Sequence, residues 1–486
     1  MKPPNIIYII ADDLGYGDLR CYNPNSKIPT PHMDQLAREG LRLTDYHTSS
    51  AVCTPTRYSV LTGRYNWRSR LKSGVLTGES PLIIEEGPPT CAELLRQAGY
   101  RTACIGKWHL GLDWQTKNGA TLDDPLYDWT LKRLDLIDFQ KPIRRGVNDT
   151  GFDESFIIPC SLDIPPYVYL ENDKCLGVPT EYSDCGVDTP YPMREGLAVP
   201  GFKAEDVFPE FTRRAVETIR GHANSAAPFF LYFPVPAPHT PIVPERSLRG
   251  KTPIGLYGDW VFQMDQAVGS IMAALEAIGQ SAQTMIIVTS DHGASPVCGF
   301  EELAALGHQP NYPWRGGKAD LYEGGNRVPF IVKWPERIPP GTVCPQLACS
   351  TDFLATVADI AGISVPARCG QDSATLLPLL ECPSSDRAPH DFVIHHSFHG
   401  RFAIRRGSWK LIECPGSGGW SFPGDADEIC ARLPPRQLYN LEKDPGERMN
   451  LIEAFPEVAS HLQSLLDEAR AGERTCPDQG HGSAHL

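Results

Sequence analysis

The stretch NIIYIIADD, residues 5–13, decides the fold class of this chain of 486 residues. After Asn5, the next five residues are apolar and mostly β-branched, which is typical of a parallel strand covered by helices on both faces. The run ends abruptly in Asp12 and Asp13. Ligands of open α/β sheets bind beyond the carboxyl ends of the strands, so two carboxylates at this point indicate a site.

Three further apolar runs repeat this pattern, at residues 100–105, 229–233 and 284–289. Each is followed within a few residues by unusual polar groups, which are Lys107 and His109, then His239, then Asp291 and His292. A single case is readily explained as a loop residue or a solvated histidine. Four cases at the same position predict that, if the strands are parallel neighbours, the polar groups converge on one site.

Helical patterns separate the strand-like runs. They cover residues 31–38, 91–98, 203–220 and 259–278, with capping residues or glycines at their ends. This alternation predicts an α/β fold with a large, mostly parallel central sheet flanked by helices. We assign residues 1–385 to this catalytic domain, in which the loop-rich excursion of about residues 112–200 is interpreted as a cap over a pocket.

The character of the sequence changes after Pro383. Short strand patterns at residues 392–394, 402–405, 409–412 and 437–439 precede a helical pattern at residues 457–470. Residues 386–486 are therefore predicted to form a small α+β subdomain with an antiparallel sheet. His395, His396, His399 and Arg401 are expected on a loop that faces the pocket, where they would bind substrate.

Composition narrows the class of protein. The chain is 41% hydrophobic and 21% charged, as expected for a globular protein, and its formal charge of −14 argues against a nucleic-acid partner. No apolar run reaches the roughly eighteen residues of a membrane span, so no membrane partner is expected. The first strand leaves no room for a leader, which predicts a cytoplasmic protein, or a periplasmic or secreted one whose leader was removed.

Fifteen cysteines are too few for a disulfide scaffold, and they lack the spacing of zinc sites. Cys160, Cys175 and Cys185 lie close together in sequence and are the candidates for pairing.

The segment Cys53-Thr54-Pro55-Thr56-Arg57 places a cysteine and a cation just ahead of a predicted helix. Pro55 suits a first helical position, Gly63 is expected to end the helix, and a helix start favours an anion. The residues alone leave Cys53 as a reactive thiolate, a buried structural thiol or the precursor of another group.

Three carboxylates at one site call for a cation. Asp12, Asp13 and Asp291 favour a hard ion such as calcium or magnesium, and His292 leaves manganese or zinc open. Transfer of a sulfuryl or phosphoryl group requires cations and acid–base groups close to the reacting atoms. The sequence offers Arg57, Lys107 and Lys318 as cations and two histidines as acid–base groups.

The chain resembles the formylglycine-dependent (type I) sulfatases of the alkaline phosphatase superfamily. Residues 53–57 are similar to the C-x-P-x-R signature, and the blocks at 5–18, 61–64, 106–111, 290–293 and 317–329 are similar to other blocks of that family. The resemblance runs in order from residue 5 to about 450. It implies an alkaline phosphatase-like fold and a sulfuric ester hydrolase.

The resemblance also implies that Cys53 is oxidised by a formylglycine-generating maturation enzyme. One hydroxyl of the hydrated aldehyde attacks sulfur, the alcohol leaves, and the second hydroxyl then releases sulfate. The implied catalytic residues are Cys53, Arg57, Lys107, His109, His239 and Lys318, with His239 as general acid. The implied ligands of Ca²⁺ are Asp12, Asp13, Asp291, His292 and the modified Cys53, with magnesium and manganese as alternatives.

Two positions depart from the family pattern. Thr56 stands where a small residue such as serine is frequent, and His292 stands where many members have asparagine. The expected substrate is a sulfated carbohydrate. The alternatives are a phosphonate or phosphodiester hydrolase on the same scaffold, and a non-catalytic sulfoglycan-binding relative with an unmodified Cys53. The sequence carries no signal for the oligomeric state.

Overall fold

A computed structural model describes residues 3–122, 133–191, 193–385 and 388–476. Parts of the predicted excursion (123–132 and 192), residues 386–387 after the predicted domain boundary, and the last ten residues of the predicted subdomain lie outside these ranges.

The strands alternate with helices over most of the chain. In chain order the strands are β1 (Asn5–Asp12), β2 (Leu41–Leu43), β3 (Tyr46–His47), β4 (Arg101–Lys107), β5 (Glu154–Ile158), β6 (Leu170–Glu171), β7 (Lys174–Cys175), β8 (Glu181–Ser183), β9 (Gly196–Ala198), β10 (Phe229–Pro238), β11 (Thr284–Ser290), β12 (Phe330–Lys333), β13 (Thr342–Cys344), β14 (Ala348–Cys349), β15 (Val393–His396), β16 (Phe402–Arg406), β17 (Trp409–Ile412) and β18 (Gln437–Asn440). The α-helices are α1 (Pro31–Glu39), α2 (Cys53–Thr62), α3 (Cys91–Gln97), α4 (Ala204–Gly221), α5 (Leu256–Ala277), α6 (Phe300–Ala305), α7 (Glu323–Asn326), α8 (Phe353–Ala361), α9 (Leu377–Glu381) and α10 (Pro456–Ala471).

The central sheet has ten strands in the order β13-β2-β12-β11-β1-β10-β4-β5-β6-β7. Its middle five strands, in the order β11-β1-β10-β4-β5, are parallel to one another. The strands that flank them, β12 and β6, are antiparallel to β11 and β5. The prediction of a large, mostly parallel sheet is confirmed. The four strands that were expected to be neighbours do lie side by side, with their carboxyl ends at one edge.

Strand β1 shows why its sequence is apolar without interruption. Ile6, Tyr8 and Ile10 belong to one buried core, and Ile7 and Ile9 belong to the core on the opposite face. Helices α1, α4 and α5 pack on the second face, whereas α3 and α8 pack together on the first. Because alternate side chains of a strand point to opposite faces, a sheet covered on both sides needs apolar residues at every position.

The structure corrects one predicted strand boundary and adds one strand. Strand β10 continues beyond its predicted end at Phe233 to Pro238. Strand β5 lies inside the excursion that was interpreted as loop, and it pairs in parallel with β4. The excursion therefore contributes a strand to the main sheet as well as loops and short hairpins.

The C-terminal part has the predicted architecture. Strands β15 to β18 form an antiparallel sheet in sequence order, and α10 packs against β16 and β17. A buried charge network joins this part to the main sheet region. The network consists of Asp45, His47, Glu323, Arg327, Arg405, Lys410 and Glu447.

All fifteen cysteines are free, so the candidates Cys160, Cys175 and Cys185 do not pair. Among the described residues, none of the helices has the length and apolarity needed to cross a bilayer.

Candidate active site

Helix α2 begins at Cys53, whose side chain is almost fully buried. Pro55 is thus the third helical residue rather than the first, and Gly63 ends the helix at φ 64°, as predicted. The hydroxyl of Thr54 donates to the His109 carbonyl oxygen at 2.9 Å. This contact ties the start of α2 to the segment that follows β4.

The polar groups at the strand ends converge on Cys53. Its Sγ lies 3.4 Å from Asp12 Oδ1, which ends β1, and 3.3 Å from His292 Nε2, which follows β11. His292 Nε2 lies 3.4 Å from Asp13 Oδ1 and 3.3 Å from Asp291 Oδ1. Asp12, Asp13, Asp291 and His292, which were predicted from two strand ends, therefore form one buried group with Cys53, termed the catalytic cluster.

The catalytic cluster fits a divalent ion. Atoms bound to one ion at 2.3–2.6 Å and at right angles stand roughly 3.3–3.7 Å apart, which matches the separations around Cys53. Two overlapping sets have ligand atoms that all lie within 4.8 Å of one another: Asp12, Cys53, Asp291 and His292 in one, and Asp12, Asp13, Cys53 and His239 in the other. Three carboxylates and an imidazole form a donor set of the hard, oxygen-rich kind.

Three buried cations surround the cluster. Arg57 donates to Asp291 Oδ2 from Nε at 3.1 Å and from the terminal NH2 nitrogen at 2.9 Å. Lys107 Nζ lies 2.6 Å from Asp12 Oδ2, and Lys318 Nζ lies 2.7 Å from Asp13 Oδ1.

Electrostatic balance keeps Asp12 ionised. Burial raises the pKa of the Asp12 carboxyl, but His239, Lys107 and Arg57 outweigh burial and hold this pKa well below its usual range.

The backbone at the end of β4 explains why Lys107 reaches the site. Gly106 has φ 139°, and a Cβ at this position would lie 2.0 Å from the Pro234 carbonyl oxygen. Only glycine allows β4 and β10 to approach so closely here. His109, two residues after Lys107, has φ 55°, a strained conformation of the kind that concentrates at functional sites.

The two histidines expected to move protons have different environments. Nε2 of His109 lies 2.9 Å from the Leu76 carbonyl oxygen, whereas its buried Nδ1 has no hydrogen-bond partner among the described residues. A carbonyl oxygen only accepts, so Nε2 carries the proton and Nδ1 is free to accept one. Burial, reinforced by Lys107, lowers the pKa of His109 well below its usual value.

His239 has the opposite electrostatic setting. Its Nδ1 lies 2.5 Å from the Thr240 carbonyl oxygen and therefore carries a proton, which leaves Nε2 for other partners. Burial alone would lower the pKa of His239, but Asp12 and Asp13 raise it to about 9. One histidine is thus poised to accept a proton and the other to donate one.

Comparison with protein families identifies the chain. Residues 4–363 match the family model described as Sulfatase, and residues 316–472 match the model described as the C-terminal region of N-sulphoglucosamine sulphohydrolase. This chain belongs to the sulfatase family. The sulfatase is a sulfuric ester hydrolase, in agreement with the sequence prediction.

Relatives of the sulfatase match it over nearly its whole length. N-acetylgalactosamine-6-O-sulfatase of Bacteroides thetaiotaomicron is 33% identical, with 96% of this chain and 93% of the relative covered. Arylsulfatase A of Homo sapiens is also 33% identical, with 96% and 87% covered. A solved structure from work on glycosaminoglycan metabolism by Bacteroides thetaiotaomicron has a TM-score of 0.81 and 31% identity, with 97% and 100% covered.

A cavity of about 270 Å³ opens at Cys53 of the sulfatase. His109, His239 and Lys318 line it together with two residues that sequence reasoning missed, Ser161 and Asp163. Ser161 Oγ lies 3.2 Å from Lys107 Nζ and 3.3 Å from His239 Nδ1.

These missed residues follow the carboxyl end of β5. Like the four predicted strands, the short run SFII at residues 155–158 is followed within a few residues by polar groups. This run was the sequence signal that would have identified Ser161 and Asp163.

The four residues expected to bind substrate are placed differently from the prediction. His395 and His396 belong to β15 rather than a loop, and both are buried. His395 Nε2 lies 3.1 Å from His47 Nδ1, and His396 Nδ1 accepts from Asn66 at 3.1 Å. The prediction that they face the pocket is wrong, because β15 is covered on both faces and all four of its residues are buried.

His399 and Arg401 are exposed, and neither is among the residues that line the cavity at Cys53. Arg401 Nε donates to Asp425 Oδ2 at 3.0 Å. The cavity instead receives Phe398 and Trp420 from the C-terminal part, with ring centroids 5.4 Å apart.

Proposed function

We propose that this sulfatase hydrolyses the sulfate ester of a sulfated saccharide, with a formylglycine made from Cys53 as the nucleophile and a divalent ion, calcium first, beside it. The position of Cys53 carries the proposal. Its Sγ lies among the ligand atoms of the catalytic cluster and also lines the cavity, so one side chain faces both an ion and a substrate.

Asp12, Asp13, Asp291 and His292 would hold the ion, with the modified Cys53 as a further ligand. A bound divalent cation would supply positive charge that polarises a sulfate oxygen and favours ionisation of the nucleophile. The three carboxylates favour calcium, and His292 keeps magnesium and manganese as alternatives.

Formylglycine would supply a hydrated aldehyde, of which one hydroxyl attacks sulfur and the other allows sulfate to leave. The proposal therefore requires a maturation enzyme that oxidises Cys53. Arg57 and Lys107 would hold the modified side chain, since their charges lie within hydrogen-bond distance of Asp291 and Asp12 on either side of it.

Lys107 and Lys318 would also bind the sulfate oxygens. Ammonium groups fixed in a buried site stabilise charge that develops on peripheral oxygens during transfer, and they need no reorganisation to do so. Ser161 would contribute a hydroxyl between Lys107 and His239.

His239 would protonate the leaving oxygen. Its Nδ1–H is held by the Thr240 carbonyl, so Nε2 is the atom available to donate. His109 would accept the proton that accompanies sulfate release, because its Nδ1 is unprotonated and without a partner in the described chain.

The substrate class rests on the relatives. The N-acetylgalactosamine-6-O-sulfatase and a canine N-acetylgalactosamine-6-sulfatase, 28% identical, both act on an amino sugar by name. We therefore take N-acetylgalactosamine 6-sulfate as the first saccharide to try.

The test is to measure turnover by protein made together with a maturation enzyme and loaded with calcium. The substrates are N-acetylgalactosamine 6-sulfate, 4-nitrophenyl sulfate and an aryl phosphonate diester. The proposal expects sulfate release to exceed phosphonate cleavage and the saccharide to exceed the aryl sulfate in kcat/KM. Faster cleavage of the phosphonate diester would favour the phosphonate hydrolase instead. Binding of sulfated saccharides without any turnover would favour a non-catalytic role.

A further inference from the structure

One carboxylate in the cavity has no part in the chemistry above. Asp163 lies just beyond β5 and lines the cavity together with His239. Its Oδ1 is buried and has no hydrogen-bond partner within the described residues. The Nδ1 atom of His239 is 3.9 Å away, which is an ion-pair distance rather than a hydrogen bond.

The other side of the carboxylate is fixed. The guanidinium of Arg194 donates to Asp163 Oδ2 and lies 3.4 Å from the Asp163 backbone oxygen. The backbone oxygen of Arg194 in turn accepts from the Tyr167 hydroxyl. Because Arg194 and the backbone hold one oxygen in place, the unpartnered oxygen is held in a fixed position at the cavity.

A fixed carboxylate is an unexpected group beside a sulfate site. Lys107, Lys318 and Arg57 are arranged for an anion, and a further negative charge weakens anion binding. A buried acceptor without a hydrogen-bond partner also raises the free energy of the protein. A ligand that donates a hydrogen bond to it therefore binds more tightly and more specifically than one that does not. An ionised carboxylate only accepts, which requires a hydroxyl or an amide N–H on the substrate.

We propose that Asp163 selects saccharides that carry a free hydroxyl next to the sulfate ester, and rejects those that carry a second sulfate there. Oδ1 accepts a hydrogen bond from that hydroxyl and repels an anion at the same place. This inference rests on the proposed function and names a specificity residue within it.

The rest of the cavity is consistent with a single sugar ring. Ile164, Met193, Phe398 and Trp420 supply apolar surface for the C–H faces of the ring. Aromatic and aliphatic walls with a few fixed polar groups are the usual composition of small-ligand sites, in which the polar groups set orientation. Asp163 and Arg194 are the charged groups that line the cavity near this apolar surface, and Thr240 and Ser295 add hydroxyls.

A competing role for Asp163 is to position His239. In that case the loss of the carboxylate would impair every substrate whose leaving oxygen His239 protonates. As a specificity residue, Asp163 affects a substrate only to the extent that the substrate has the adjacent hydroxyl. A comparison of substrates with and without that hydroxyl therefore separates the two roles.

The experiment uses calcium-loaded, matured protein and the variants Asp163→Ala and Asp163→Asn. The substrates are N-acetylgalactosamine 6-sulfate, its 4,6-disulfate and 4-nitrophenyl sulfate, which has no hydroxyl. The control is Asp188→Asn, a carboxylate in the same excursion that pairs with Arg249 outside the cavity. The control is expected to retain wild-type kcat/KM on all three.

Asp163→Ala is expected to lower kcat/KM for the 6-sulfate about 10- to 100-fold more than for the aryl sulfate. Asp163→Asn is expected to raise the rate on the disulfate relative to the 6-sulfate. An equal fall on the 6-sulfate and the aryl sulfate would overturn the inference in favour of positioning. Unchanged selectivity in both variants would overturn it outright. Wild-type protein without activity on any of the three would instead contradict the proposed function.

Discussion

The catalytic cluster and the buried charge network that joins the C-terminal part are two acidic groups with similar composition and different construction. Each has three carboxylates and one histidine, and three cations belong to the network or surround the cluster. In the network, the Asp45 carboxylate lies within 2.5–3.1 Å of His47, Arg327 and Arg405, and Lys410 lies 2.9–3.0 Å from Glu323 and Glu447. Around Cys53 the neighbouring atoms are mostly acceptors that stand 3.3–3.4 Å apart.

The difference indicates separate purposes. Asp45, His47 and Glu323 also have the spacing of a metal site, and cations pair with the carboxylates of both groups. The catalytic cluster, through Cys53, lines the cavity, whereas none of the network residues does. We interpret the network as structural and the catalytic cluster as a site for a cation and a substrate. The following predictions test this division, beginning with the largest expected effect.

Replacement of the nucleophile tests the catalytic side. Cys53→Ala is expected to lower kcat for sulfate release by on the order of 10⁴-fold or more, because the nucleophile is lost while the packing around α2 is hardly altered. Its free energy of unfolding should stay close to that of the wild type. Cys349→Ala, a buried cysteine next to the C-terminal core, is the matched control and should lose stability while keeping kcat. Full turnover by Cys53→Ala would rule out the mechanism.

A matched pair of carboxamide variants separates the two groups. Asp45→Asn leaves Arg405 and Arg327 without their buried counter-charge and is expected to cost roughly 3–5 kcal/mol of stability, with kcat of the folded protein unchanged. Asp12→Asn leaves buried Lys107 without its counter-charge, so it also costs stability, but only this variant is expected to abolish most activity and calcium affinity of the folded protein. Chemical denaturation and turnover, measured on both variants, check the pair. Equal losses of activity in the two folded variants would contradict the division.

Metal removal gives a smaller effect on stability. Saturation with calcium at 100 times its Kd should stabilise the wild type by about 2.7 kcal/mol relative to chelated protein, since the ion binds the folded state. Asp45→Asn should retain this increment and Asp12→Asn should lose it. The measurement is the denaturation midpoint with calcium and with chelator. If Asp45→Asn abolished the stabilisation by calcium, the ion would have to bind in the buried charge network instead.

The smallest effect is on pH dependence. Burial raises the pKa of the Asp45 carboxyl, but Arg327 and Arg405 outweigh burial and hold this pKa well below its usual range. The resulting stability is present above the unfolded pKa of about 3.9 and is lost as pH falls toward the folded value. The cost of Asp45→Asn should therefore be constant from pH 8 to 5 and shrink below about pH 4. A cost that is unchanged down to pH 3 would show that ionisation of Asp45 contributes nothing.

The sequence predicted the catalytic cluster better than the network, for a physical reason. Asp12, Asp13, Asp291 and His292 each follow a recognisable buried strand, so the geometry of a parallel sheet brings them together without knowledge of side-chain contacts. Asp45 and Arg405 are more than three hundred residues apart, and no periodic pattern records that they pair.

The errors have the same origin. Strand β5 was missed because only five residues mark it inside a loop-rich excursion, and Ser161 and Asp163 were missed with it. His395 and His396 were assigned to the pocket because imidazoles resemble a binding cluster in sequence. In the structure both histidines are buried members of β15. Only the pairing register of the antiparallel sheet could reveal this position.

The most direct test of the central claim is the mass of the peptide that contains Cys53, measured in active protein produced with a maturation enzyme. We predict an aldehyde in place of the thiol, in a fraction that rises in proportion to kcat across preparations. Fully active protein in which this peptide carries an unmodified cysteine would contradict the account.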